Sequence, residues 1–200
     1  MSNQEQQLFG HPKGLFYLFF AELWERFSYY GMRALLTLYM VNEFFLNIKD
    51  ETAREEMSIG IFAAYGSLVY ATPVIGGMIA DKFIGFKKSI MLGGVLMALG
   101  HFFMSFYFDV SAWENGMFGM PITDINGFFF YSALALLIVG NGFFKPNIST
   151  MVGRLYPEGD DRRDSGFTIF YMGINIGAFL APLACGYLGM SENWGWHYGF

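Results

Sequence analysis

Apolar residues along this chain form long runs separated by short polar segments. A helix needs about 20 apolar residues to cross about 30 Å of hydrocarbon. Five runs reach that length, at approximately 14–45, 57–80, 89–108, 127–156 and 166–189. The aromatic residues from Trp196 to Phe200 are typical of a membrane interface, so a sixth helix is predicted to begin there. The pattern predicts an all-α, polytopic transmembrane helix bundle.

The composition supports a membrane protein. Apolar residues make up 54% of the 200 residues and charged residues 14%, compared with about 25% charged in an average soluble domain. The net charge is −5, and the basic residues form no cluster of the kind that binds nucleic acid. We therefore expect a lipid bilayer, and no nucleic acid, among the partners.

The distribution of Lys and Arg predicts the orientation in the membrane. With a cytoplasmic amino terminus, the outer loops hold Lys49 and Arg54, and the helices hold Arg26, Arg33 and Lys145. The cytoplasmic ends then hold seven basic residues, as the positive-inside rule favours: Lys13, Lys82, Lys87, Lys88, Arg154, Arg162 and Arg163. We expect a multi-pass protein of the cell membrane (inner or plasma), with residues 1–13 cytoplasmic and residues 14–200 forming the bundle.

The first helix carries ionisable and phenolic side chains inside an apolar run. At about 100° per residue, six of them occupy about 140° of one face: Glu22, Glu25, Arg26, Tyr29, Tyr30 and Arg33. A charge at the bilayer centre costs roughly 2.5–3.5 kcal/mol, so this face cannot contact lipid. It either forms an ion-pair cluster that locks helices together or lines a polar cavity. We favour the cavity, since buried ion pairs seldom repay their desolvation.

Polar residues also interrupt the fourth and fifth helices. Pro146 follows Lys145 and cannot donate a backbone hydrogen bond, which predicts a broken or kinked helix lining a cavity. The alternative is that Lys145 extends to the membrane interface. Asn175 offers a donor and an acceptor among apolar neighbours, either for a ligand or for a bond between helices.

Small residues in the fifth helix predict close helix packing. Gly173 and Gly177 are four residues apart, and Ala178, Ala181 and Ala184 follow. Such spacing lets helix backbones approach each other in lipid. The single cysteine, Cys185, lies in the same apolar run and is interpreted as a small packing residue.

Four segments, in the same order along the chain, resemble motifs of proton-dependent oligopeptide transporters in the major facilitator superfamily. The run 22–31 resembles the family's first-helix signature, with Glu22, Glu25 and Arg26 all present. Residues 77–88 resemble the superfamily's loop motif between helices two and three. Residues 144–150 and 170–179 resemble the fourth-helix and fifth-helix motifs. The resemblance implies the amino-terminal half of a major facilitator fold.

The resemblance also implies roles for individual residues. Arg26 and Lys145 would hold the carboxylate end of a peptide, and Asn175 the amino end. Other implied roles are pocket walls for Tyr29, Tyr30 and Tyr70, a site and coupling role for Arg33, proton coupling for Glu22 and Glu25, and a cytoplasmic gate for Asp81 with Gly77 and Gly85. Proton coupling would also involve Arg26 and Lys145.

Two departures from the family pattern affect these implications. Ala63 occupies the position at which mammalian members carry a histidine, so carboxylates are expected to carry the proton. The family's fold has two halves, and this chain ends where the sixth helix begins. We therefore expect the carboxy-terminal bundle to be absent from this chain and to be a required partner.

The resulting hypothesis is proton-coupled symport of di- and tripeptides by alternating access. Protons are the expected coupling ion, and no other cofactor is expected. The alternative within transporters is a family member that carries another small solute such as nitrate. An enzyme is not expected, because neither H-E-x-x-H nor G-x-S-x-G occurs. A structural or receptor-like membrane subunit is a further alternative, in which Arg26 and Lys145 have no role in uptake.

Overall fold

The computed structural model describes residues 7–106, 122–191 and 193–200. A short antiparallel hairpin, β1 (Gln7–Leu8) and β2 (His11–Pro12), precedes the first helix. The long helices are α1 (Lys13–Tyr39), α2 (Glu51–Ile79), α3 (Phe86–Met104), α4 (Ile122–Arg154) and α5 (Arg162–Gly189), and a short α6 (Trp196–Gly199) follows. π-Helical turns extend α1 over Met40–Phe44 and α2 over Ala80–Ile84. Within the described residues, five long helices and a short sixth follow the order of the predicted apolar runs.

Length and apolar composition identify membrane-crossing helices within the described residues. Three segments qualify: Glu51–Ile84, Ile125–Arg154 and Arg162–Gly189. The other two long helices, α1 and α3, are not among them. The polar face of α1 lowers its hydropathy, and α3 has 19 residues and carries Lys87 and Lys88 in its first turn.

Several predicted helix boundaries are wrong. α2 begins at Glu51 instead of residue 57, because the Asp50 side chain accepts a hydrogen bond from the Thr52 backbone N–H (3.0 Å) and caps the helix. Arg54 is therefore helical and does not lie in a loop. α4 begins at Ile122, inside the predicted loop 109–126. Residues 107–121 lie outside the described residues, and with them the predicted end of the third helix.

The fourth helix runs without interruption through Pro146, so it is not broken there, and the predicted kink stays a prediction. Pro146 has no N–H to donate to the carbonyl of Gly142, four residues earlier. α2 approaches this same carbonyl: a side chain at Gly76 would overlap the Gly142 oxygen. Thr72 of α2 also donates from Oγ1 to the Ile138 carbonyl (3.1 Å). Contact with α2 thus supports α4 where its own hydrogen-bond ladder has a gap.

Glycines allow the closest helix contacts. The most extensive helix pairs are α3 with α4, α1 with α5, and α2 with α4. Between α1 and α5, Gly173 and Gly177 lie against the backbone carbonyls of Phe19 and Leu23, which confirms the predicted packing role of these glycines. Cys185 is buried against Gly31, so its interpretation as a packing residue is also confirmed.

Two apolar clusters fill the interior at different depths. One contains Leu15 of α1, Phe170 of α5 and, from α4, Phe144, Ile148 and Val152. The other lies among the later part of α1, the middle of α2, the end of α3 and the first half of α4, and includes Tyr29, Met32, Leu36, Tyr39, Tyr65, Val69, Met104, Phe130, Ala133, Leu134 and Leu137. Polar residues of α1 and α4 are buried between the two clusters.

The amino-terminal hairpin is attached to the connection between α4 and α5. His11 Nδ1 forms a hydrogen bond with the Tyr156 hydroxyl (2.8 Å), and Arg162 Nη1 donates to the Gly10 carbonyl (2.8 Å). Arg162 also pairs with Asp160, with Nη2 at 2.7 Å from Oδ2. Hydrogen bonds from the Arg162 side chain and backbone lower the pKa of Asp160 to about 2.

This lowered pKa predicts an acid-dependent loosening of the hairpin. The usual pKa of Asp is about 3.9, so the pair stabilises the connection fully above that pH and loses its effect as the pH falls toward about 2. Hydrogen exchange measured by mass spectrometry should show hairpin protection falling in this window. In Arg162→Gln the hairpin should exchange faster at neutral pH and show no step. Arg163→Gln, the same change one residue along, is the control, and an equal effect there would contradict the assignment.

The contact between α2 and α4 predicts that a methyl group added at Gly76 destabilises the bundle. A Cβ at Gly76 overlaps the Gly142 carbonyl, whereas one at Gly66, earlier in α2, meets nothing within 4 Å. Gly76→Ala should destabilise the bundle by about 1–3 kcal/mol, the range for overpacking. Gly66→Ala should be neutral or slightly stabilising, because alanine favours helix. Thermal unfolding in detergent measures both, and equal melting temperatures would contradict this packing.

Candidate functional site

The polar face of α1 divides into a buried part and an accessible part. Glu22, Glu25 and Arg26 are 2%, 7% and 3% exposed. Tyr30 and Arg33, farther along the same face, are half-buried. The prediction that this face is turned away from lipid is confirmed for the first three residues and for Tyr29, which is 7% exposed, because all four are buried inside the helix bundle.

Arg26 pairs with both glutamates. Its Nη2 donates to Glu25 Oε1 (2.5 Å), and its Nε donates to Glu25 Oε2, so the contact is bidentate. Glu22 approaches from one turn earlier, with Oε1 3.3 Å from Arg26 Nε. The guanidinium carbon also lies 5.0 Å from the centre of the Tyr29 ring. One guanidinium thus serves two carboxylates, and the three side chains together carry an excess negative charge.

Lys145 of α4 supplies a second positive charge to this cluster. Its ammonium group attracts Glu22 electrostatically, and its Nζ lies 5.6 Å from the centre of the Tyr70 ring on α2. The cation is half-buried. The structure therefore brings α1, α2 and α4 together around Glu22. This position differs from the alternative in which Lys145 extends to the membrane interface.

Tyrosines and a second arginine extend the site along α1 and α2. Arg33 Nη1 donates to the Tyr29 hydroxyl (3.4 Å), and its guanidinium lies 5.2 Å from the centre of the Phe62 ring. Tyr70 interacts with both Tyr29 and Arg33 and is 63% exposed. The rings of Tyr29 and Tyr30 meet edge to face at 5.2 Å. An aromatic wall thus joins the buried ion pairs to an exposed surface.

The predicted amino-end residue lies apart from this cluster. Asn175 is exposed on α5. It lies about 200° around the helix from both Gly173 and Gly177, which face α1. The structure therefore does not bring Asn175 into the buried ion pairs.

The three predicted gating residues lie around the junction of α2 and α3. Gly77 faces α4, because a Cβ there would lie 3.6 Å from Pro146 Cβ. Asp81 is exposed in the π-helical turn, and Gly85, with φ +82°, connects that turn to α3. A positive φ favours glycine, so the chain reverses here at little cost.

Asn141 is a site residue that sequence reasoning missed. It is 2% exposed on α4, and its Nδ2 donates to Glu25 Oε1 (2.9 Å). Glu25 therefore receives three hydrogen bonds from two helices. An amide inside an apolar helix, one turn before Lys145, was a detectable signal of the kind that pointed to Asn175.

The arrangement has the chemistry of a transport site. Ionisable side chains within membrane helices line solute or proton pathways as a rule. Here two cations, two carboxylates and an aromatic wall lie between buried and exposed surface, so a ligand carrying both charges finds complementary groups. A helical membrane bundle with such a site is typical of transporters for polar solutes.

Comparison with known proteins identifies the family. A family model, PTR2 (POT family), matches residues 87–200, more than half of the chain. The chain belongs to the POT family. Its fold is an all-α transmembrane bundle corresponding to the amino-terminal half of a major facilitator fold, as predicted.

Named relatives and solved structures agree with this assignment. The uncharacterized transporter YclF of Bacillus subtilis is 44% identical over 98% of this chain and 36% of its own length. A di-/tripeptide transporter of Lactococcus lactis is 40% identical over 100% of this chain and 36% of its own length. A peptide transporter POT in complex with sulfate matches with a TM-score of 0.79 at 42% identity, covering 100% of this chain and 38% of that chain. A POT family transporter in complex with 5-aminolevulinic acid matches with a TM-score of 0.76 at 40% identity, covering 97% of this chain and 36% of that chain. The chain thus spans just over a third of the length of the relatives it matches.

The unequal pairing of the two glutamates predicts unequal stability effects. Glu25→Gln removes the bidentate partner of buried Arg26 and should cost about 3–5 kcal/mol, as for a broken buried ion pair. Glu22→Gln removes a single 3.3 Å contact and should cost about 1 kcal/mol. Denaturant or thermal unfolding in detergent measures the difference. An equal or larger loss in Glu22→Gln would contradict the assigned roles.

Proposed function

We propose that this chain, together with the remaining length that its relatives have, carries di- and tripeptides across the cell membrane in symport with protons. The observation that supports this proposal most directly is that Glu22 interacts with two cations, Arg26 and Lys145, beside an aromatic wall. The name of the Lactococcus lactis relative, a di-/tripeptide transporter, supports peptides as the solute.

Arg26 and Lys145 hold the peptide carboxylate in this proposal. An arginine grips a carboxylate with two parallel hydrogen bonds, whereas lysine acts as a point charge. Lys145 is the more accessible of the two and makes the first contact. Arg33, half-buried beside Tyr29, is a further cation on the same path.

The opposite end of the peptide and its side chains need different surfaces. Asn175 provides a donor and an acceptor for the amino end from the exposed face of α5. Tyr29, Tyr30 and Tyr70 form an apolar wall with polar edges, which accepts varied side chains because it binds shape more than sequence. Closing a pocket between α5 and this wall requires the carboxy-terminal bundle as a partner.

Proton coupling follows from an exchange of ionic partners. When a peptide carboxylate takes Arg26 or Lys145, Glu22 loses a counter-charge, and a buried carboxylate without one binds a proton. Release of the peptide reverses the exchange. Arg33 donates to Tyr29, whose ring lies beside Arg26, and Arg26 pairs with Glu25, so both Arg33 and Glu25 belong to the coupling network in this proposal. Protons serve as the coupling ion, and no further cofactor is required.

Alternating access requires a gate and a fixed orientation. We place the gate at the junction of α2 and α3, where Gly77, Asp81 and Gly85 lie, and the two halves of the transporter rock about the central site. The excess of Lys and Arg at one end of the helices supports a cytoplasmic amino terminus.

A family member that carries nitrate or another small anion is the second candidate. A single anion needs the cations but not the paired carboxylates. The intact set Glu22, Glu25 and Arg26 therefore favours a zwitterionic solute. Uptake of labelled nitrate by proteoliposomes that contain the full-length transporter tests this candidate directly.

Glu22→Gln separates proton coupling from peptide binding. Proteoliposomes containing the full-length transporter should take up labelled dipeptide when an inward proton gradient is applied. In Glu22→Gln the gradient-driven uptake should fall at least about tenfold, whereas peptide counterflow at equal pH should persist, because the amide occupies the carboxylate's place without a titrating proton. Full gradient-driven uptake in this variant would remove Glu22 from the coupling role.

Arg26→Ala is the companion variant for binding. It should abolish peptide binding and counterflow alike, since it removes the bidentate group. Unchanged peptide affinity in Arg26→Ala would refute the carboxylate clamp. An absence of dipeptide uptake by the unaltered transporter would refute the proposed function itself.

A further inference from the structure

A small cavity lies directly behind the ion pairs, between α1, α2, α3 and α4. Its volume is about 10 Å³, and it is lined by Glu25, Ser28, Tyr29, Met32, Tyr65, Met97, His101, Leu137 and Asn141. A space of this size accommodates one water molecule when polar groups line it. Six of the nine lining side chains carry hydrogen-bonding groups, so the cavity is polar on several sides.

One of the lining residues, Asn141, has an unsatisfied oxygen. Among the described residues, Asn141 Oδ1 is buried without a hydrogen-bond partner, although its Nδ2 donates to Glu25. A buried amide oxygen without a partner costs about 1–3 kcal/mol. A water molecule in the cavity would remove that cost by donating to Asn141 Oδ1.

Ser28 and His101 form the far wall and continue the polar path. His101 Nδ1 lies 3.2 Å from the Phe200 carbonyl, and a carbonyl only accepts, so Nδ1 carries a proton. His101 Nε2 contacts Ser28 Oγ. In the neutral ring Nε2 accepts from the Ser28 hydroxyl, whose lone pairs then accept from a neighbouring water.

We propose that this cavity binds one water molecule that joins Asn141 and Glu25 to Ser28 and His101. Asn141 and this water act as the positioning elements that keep Glu25 bound to Arg26. Glu25 then has donors on both oxygens, whereas Glu22 has one 3.3 Å contact and its Oε2 is buried without a partner among the described residues. The site therefore holds one glutamate as a permanent counter-ion and leaves the other to exchange protons.

This division of roles rests on the proposed function, and it involves every element around Glu25. The titratable and charged groups that face the site are Glu22, Arg26 and Tyr29 from α1, Tyr65 from α2, His101 from α3 and Lys145 from α4. α5 contributes Gly177, which lies against Arg26, and α6 contributes the Phe200 carbonyl.

A double-variant cycle on stability tests the water without reference to transport. Asn141→Leu and Ser28→Ala each remove one wall of the water site. If one water joins the two residues, its loss is counted once, and the melting temperature of the double variant should fall by less than the sum of the two single losses. Asn147→Leu, another buried asparagine of α4 whose Nδ2 donates to the Phe143 carbonyl, is the matched control and should add fully to Ser28→Ala. Additive losses for Asn141→Leu with Ser28→Ala would overturn the shared water.

The pH profile of uptake tests the positioning role. Asn141→Asp keeps the shape of the side chain but supplies a donor to Glu25 only when it is protonated. Its gradient-driven dipeptide uptake, relative to the unaltered transporter at each pH, should be at least about tenfold reduced at neutral pH and recover as the pH falls. Asn141→Leu, which has no donor at any pH, should show no recovery, and Asn147→Leu should leave the pH profile unshifted. A pH-independent ratio in Asn141→Asp would overturn the role.

Discussion

The bundle is organised around one buried guanidinium. Arg26 is surrounded by apolar clusters above and below, and a charge in such a place is tolerated only when its partners are close and well oriented. Glu25 meets it with two parallel hydrogen bonds, and Glu22 adds a second negative charge. The partners of Arg26 come from α1 and Asn141 of α4 supports Glu25, so the buried charges connect these two helices.

Close helix packing surrounds these ion pairs. Glycine contacts bring α5 against α1 beside Arg26, and α2 against α4 one turn before Lys145. Behind the ion pairs lies a cavity of about 10 Å³, and Glu25 and Arg26 bond to each other at its edge. On another side, Tyr70 of α2 is exposed beside Lys145, and the charged site reaches the surface there.

Local sequence properties were enough to predict that the helices exist and that α1 has a polar face. Both the 3.6-residue periodicity and the cost of charge in lipid are properties of a single segment. They did not give the helix ends, since Asp50 caps α2 in a charged stretch that hydropathy assigns to a loop. They also did not separate Asn141 from Asn175. Both are amides in apolar helices, and only the packing of α4 on α1 buries the first against Glu25 and leaves the second exposed. The continuity of α4 at Pro146 was likewise not predictable from the sequence of α4 alone, because α2 packs against it there.

The unbroken passage of α4 through Pro146 has a mechanical consequence. A helix lacking one backbone hydrogen bond has its lowest bending stiffness at that peptide, and here the gap lies at the Gly142 carbonyl, between Asn141 and Lys145. Bending at this point would change the distance between Asn141, which donates to Glu25, and Lys145, which attracts Glu22, so the shape of α4 and the pairing of the two carboxylates are linked.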